Sequence, residues 1–128
     1  MVDNVNFDVL EDGKRNLVMK LTNISDGTGE AGVIKVSPPL MSGAPANVVI
    51  RRIKASTFGM GVQILWDATT DVLAWYIPAD MDVDQDFTFF GGIQNNAGAG
   101  VTGDILFTTT GATAGDVYSI VLEMIKKY

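Results

Sequence analysis

"DVYSIVLEMIKK", residues 116–127, decides whether this chain is all-β or closes on a helix. Leu122, Glu123, Met124 and Lys126 are good helix formers. Against them stand Val117, Tyr118, Ile120, Val121 and Ile125, β-branched and aromatic residues that fit a pleated surface. The preceding "TAGD" offers no clear capping box to start a helix. Alternation settles the reading: Tyr118, Ile120, Leu122 and Met124 share one face. Ser119 and Glu123 lie on the other, with Val121 and Ile125 among them. The segment is a half-buried strand.

The same period of two runs outward from it. In "NLVMKLTNI" (16–24), Leu17, Met19 and Leu21 face away from Lys20 and Thr22. In "GVQILWD" (61–67), Val62, Ile64 and Trp66 alternate with Gln63, Leu65 and Asp67. Further strands are expected over 4–10, 31–37, 46–56, 71–77, 103–110 and "QDFTFF" (85–90). Turn-rich stretches such as "EDGK", "SDGTGE", "SPPLMSGAP" and "TTGATAGD" separate them at sandwich or barrel spacing. The expectation is a single all-β domain over 1–128, an antiparallel β-sandwich with jelly-roll-like topology and at most a short helical turn. A short flexible N-terminal arm over about 1–12 is compatible with that pattern.

Composition then removes whole classes of chemistry. The chain has no cysteine and no histidine, so it lacks a thiolate nucleophile, a zinc–thiolate site and the most common general base. No serine lies in G-x-S-x-G or S-x-x-K. A net charge of −6 argues against nucleic acid or an anionic membrane as partner. The N-terminal stretch has no apolar run, so neither a leader nor a membrane span is expected there, and the chain reads as a soluble protein made in the cytosol. Hydrophobic residues make up 47% and charged residues 19%, which leaves little polar cover for a monomer and favours a surface shared with partners. The expectation is a non-enzymatic interaction domain with no cofactor.

"DMDVDQD" (80–86) sets Asp80, Asp82, Asp84 and Asp86 at every second position. A calcium loop begun at Asp80 fails where geometry is set, with Gln85 at the turn glycine and Gly91 at the bidentate glutamate. The four carboxylates are read instead as one acidic strand face meeting solvent or a partner, with Met81 and Val83 on the other face. A weak cation site at Asp80, Asp82 and Asp84 is the competing reading. "VIRRIK" (49–54) offers Arg51 and Arg52 as a local salt-bridging or partner-contact patch. "GAGVTG" (98–103) matches G-x-G-x-x-G, but a polar stretch precedes it and a strand follows. Its glycines are read as loop residues with positive φ. Trp66, Trp75, Tyr76, Phe87, Phe89 and Phe90 are read first as core, with a carbohydrate platform as the alternative.

Three stretches carry a resemblance: "DGKRNLVMKLTNISD" (12–26), "ILWDATTDV" (64–72) and "FFGGIQNNAGAGVTGDILFTTTGATAGDVYSIVLEMIKKY" (89–128). Together they resemble small virion structural proteins of tailed bacteriophages, of the head decoration or cement type. The resemblance implies a β-sandwich subunit, often a homotrimer, seated on the assembled major capsid protein at the outer surface of the head. It supplies no catalytic or cofactor residues. A tail or head-fibre component of the same virion is the nearer alternative, and a carbohydrate-binding jelly roll the more distant one.

Overall fold

The computed structural model describes residues 4–27 and 29–127. Among these described residues, nine strands form two antiparallel sheets. In the first, β1 (Asn4–Asp12), β2 (Asn16–Asp26), β9 (Ala114–Lys127), β4 (Asn47–Phe58) and β7 (Asp82–Asp86) lie side by side in the order β1-β2-β9-β4-β7. In the second, β3 (Val33–Val36), β8 (Ile105–Thr110), β5 (Gly61–Trp66) and β6 (Val72–Ile77) follow the order β3-β8-β5-β6. The all-β sandwich expected from the period of two is the observed architecture. Of the 1–12 segment, Asn4–Asp12 pairs with β2 as β1, and residues 1–3 lie outside the described residues.

β9 shows why its reading decided the fold. It pairs with β2 on one side and β4 on the other, at the centre of the larger sheet. Tyr118, Ile120, Leu122 and Met124 are buried, while Val117, Ser119, Val121, Glu123 and Ile125 are not. The buried side meets Leu17, Met19 and Leu21 of β2 and Ile50 and Ile53 of β4. Val62, Ile64 and Trp66 of β5 and Ile105 and Phe107 of β8 close the core from the second sheet. An edge-to-face contact between Phe107 and Tyr118, with ring centroids 5.7 Å apart, ties the two layers together.

Two local expectations are corrected. "QDFTFF" is not a strand: β7 ends at Asp86, and Thr88–Phe90 forms a 3-10 turn. Asp86 ends the ladder itself, accepting from the Thr88 N–H at 2.8 Å and the Thr88 hydroxyl at 2.6 Å. Such a side-chain turn competes with strand pairing. Asp80 does not share the strand face of the other aspartates. It sits in the turn before β7 with φ 58, a left-handed conformation that aspartate tolerates better than most residues.

Candidate functional site

β7 is the edge strand of the larger sheet, and its aspartates face basic and hydroxyl residues of β4. The register sets Asp82 opposite Ser56, Asp84 opposite Lys54 and Asp86 opposite Arg52. Asp82 accepts from the Ser56 hydroxyl at 2.8 Å. Asp84 accepts a bidentate pair from Arg52, Nε and Nη2 each at 2.9 Å. Asp80, off the strand, accepts from the Gly59 N–H at 2.8 Å and fixes the turn. The acidic edge is therefore an ordered, internally paired surface.

A bulge between Ile50 and Arg52 lets two consecutive arginines reach the same side of β4. Arg51 Nη2 lies 3.3 Å from Glu123 Oε1, and Arg52 Nε lies 3.9 Å from Glu123 Oε2. Both arginines of "VIRRIK" thus take part in ion pairs on this sheet. Hydrogen bonding from Arg52 holds the Asp84 carboxyl below the usual carboxylate range, and bonding from Thr88 does the same for Asp86. Arg52 in turn is pushed up, chiefly by its bonds to Asp84. Between β7, β4 and β9 runs a shallow groove of about 440 Å³, floored by Ser119 and Val121 and walled by Lys54, Asp82 and Asp84.

Among the described residues, no three acidic side chains come close enough to hold a metal ion. Successive aspartates on one strand face stand roughly 6.5 Å apart along the chain, too far for one cation to bridge three. In "GAGVTG", Gly100 and Gly103 take φ of 79 and 87. A Cβ on Gly103 would fall 2.0 Å from the Ala46 carbonyl oxygen, so close approach of backbone explains that glycine.

The aromatic residues disperse. Trp66 is fully buried, and Trp75 packs edge-to-face on buried Phe87 at 5.1 Å. Tyr76 is exposed on the opposite face of β6 from Trp75, since adjacent strand residues point apart. Those two rings cannot form one sugar platform. Phe89 is exposed on the turn after β7.

Two charged clusters escaped the sequence reading. Lys126, whose side chain is fully buried, pairs with Asp12 and donates to the Ser42 carbonyl at 2.8 Å. It lies one step along the face of Leu122 and Met124, so continuing that alternation would have placed it inward. The hydrogen bond from Lys126 is the main cause holding Asp12 below its ordinary pKa. The second cluster joins Glu30 and Lys35 in a buried ion pair. Glu30 Oε1 also accepts from Asn23 Nδ2 at 3.0 Å and from the Tyr118 hydroxyl at 2.6 Å. In "VIKV", a bulge between Ile34 and Val36 leaves Lys35 and Val36 buried side by side. Both clusters hold the ends of the sandwich and serve structure.

No protein-family model and no curated protein matches this chain. Among the described residues, no helix is long and apolar enough to cross a membrane.

Proposed function

We propose that this chain is a structural protein of a tailed-phage virion, a capsid decoration protein that binds the assembled major capsid protein and stabilises the expanded head. The observation that carries the reading is the strand order. Leaving β1 aside, the orders β2-β9-β4-β7 and β3-β8-β5-β6 make the chain cross between sheets at every step from β2 to β9 except the β5–β6 hairpin. We read this order as jelly-roll-like, an arrangement that viral capsid and lectin domains share. A fold alone does not set function; the resemblance at 12–26, 64–72 and 89–128 supplies the rest.

Capsid stabilisation needs no bond-making chemistry. A subunit that bridges neighbouring capsomers favours whichever lattice completes its binding site, and the gain equals its differential affinity for the two lattices. The partners in this reading are the major capsid protein and further copies of the chain, as the homotrimer the resemblance implies. The paired charges of β7, β4 and β9 give such a module a fixed pattern of potential, which favours specificity of docking over raw affinity. A cryo-EM map of the parent particle tests this directly. Copies of the sandwich on the outer surface of the head are expected. Density in the tail or a fibre, or none in the particle, would overturn the assignment.

A further inference from the structure

Of the two buried charged clusters, the one around Glu30 also brings together the atoms of a reaction. The side chains of Lys35 and Glu30 are 3% and 4% exposed, and Asn23 beside them is 0% exposed. One carboxylate serves two nitrogens. Its Oε2 faces Lys35 Nζ, while Oε1 accepts from Asn23 Nδ2 at 3.0 Å and from the Tyr118 hydroxyl at 2.6 Å. The Glu30 backbone is pinned to β8: its N–H donates to Thr109 Oγ1 at 2.7 Å, and its carbonyl accepts from the Thr109 N–H at 2.9 Å. Asn23 belongs to β2 of the larger sheet, Lys35 to β3 of the smaller, and Glu30 to the segment between them. Desolvation offsets much of the attraction within a buried ion pair, so stability alone explains this arrangement poorly.

We propose that Lys35 Nζ and Asn23 Cγ become joined in an intramolecular isopeptide bond, with Glu30 carrying the protons. Such an amide exchange needs a nucleophile, an electrophile and an acid–base group, and the cluster supplies one of each. Two groups bonded to the two oxygens of one carboxylate stand roughly 3–6 Å apart, so small side-chain rotations reach the attack distance of about 3.5 Å. Glu30 Oε2 takes a proton from the lysine ammonium, which removes both charges from a site shielded from water. The amine lone pair then adds to Cγ, and the carbonyl electron pair moves onto Oδ1. As the carbonyl re-forms, the Cγ–Nδ2 bond breaks and Glu30, through Oε1, protonates the departing nitrogen. One amide replaces another, with no oxidant or reductant. The two protons shed by the lysine ammonium leave with Nδ2 as an ammonium ion, and Glu30 ends as the carboxylate it began.

The bond ties the two layers together where pairing is weakest. β3 is a four-residue edge strand held to β8 through three register pairs and a bulge. The cross-link anchors it to β2 of the opposite sheet. It also closes the chain between residues 23 and 35, which restricts the unfolded state as a disulfide would, in a protein that has no cysteine.

The inference does not rest on the virion reading, and its test is separate. Intact-mass spectrometry of the purified full chain should find it about 17 Da lighter than its sequence requires, the mass of one ammonia. A succinimide at Asn23 would lose the same ammonia, and trypsin separates the two. An acylated Lys35 resists trypsin, so the isopeptide bond gives a single peptide, 21–51, that carries the deficit. A succinimide leaves Lys35 cleavable and puts the deficit on 21–35, an outcome that overturns the proposal. Lys35→Met and Glu30→Gln should each restore the full sequence mass. The wild-type measurement needs no variant, so it decides the matter even where a substitution prevents folding. A wild type of full sequence mass overturns the proposal, and so does a Glu30→Gln chain as light as the wild type.

Discussion

Lys126 and Asp12 divide one ion pair unequally between core and water. The lysine side chain is 0% exposed and the aspartate side chain 30%. Removing Asp12 leaves an ammonium with no access to water, whereas removing Lys126 leaves a carboxylate that can rehydrate. Asp12→Ala should therefore cost about 3 kcal/mol and Lys126→Met clearly less, by urea denaturation. Equal losses would count against this asymmetry. The pH dependence follows from the lowered Asp12 pKa. Its contribution is fully present above the unfolded value near 3.8 and disappears as pH falls through the folded value. The wild type should lose melting temperature below about pH 4 more steeply than Asp12→Asn. At the other cluster, Tyr118→Phe removes a donor to buried Glu30 and should cost about 1.5–3 kcal/mol. The sequence carried a signal for Lys126, whose place on the β9 face is fixed by alternation. It carried none for Glu30, because the Tyr118 hydroxyl that helps hold it comes from a strand 88 residues away.

Element by element, periodicity was a good guide wherever pairing was regular and a poor one where a side chain or bulge interrupted it. β9, β2 and β5 alternate as their residues require. The bulge in β3 and the Asp86 turn after β7 each shift the pattern, and neither leaves a mark in hydrophobicity alone. The acidic stretch was legible as a strand only from Asp82, because Asp80 bonds to Gly59 across a turn. β7 still leaves an open sheet edge, and its carboxylates oppose pairing with stray strands. Asp82→Asn/Asp84→Asn/Asp86→Asn should keep the β-type dichroism spectrum but show slow growth in light scattering at high protein concentration. Under the virion reading it should also bind heads more weakly, with a reduced dependence on salt. A chelator should leave the wild-type melting temperature unchanged. A drop of several degrees would make the aspartates ligands after all.

At the scale of the whole molecule, the two sheets have divided the labour that the composition implied. One carries the paired charges and the acidic edge; the strands of the other hold one charged residue, the buried Lys35. A rigid sandwich with two such faces suits a protein that stabilises a lattice by being bound to it. Under the proposed virion reading, the most direct test is co-sedimentation of the purified chain with heads of the phage that would encode it, compared before and after the head expands. Saturable binding to expanded heads, with little retained on compact ones, is the expected result. Equal binding to both forms would remove the basis for lattice stabilisation, and no binding to either would contradict the capsid assignment altogether.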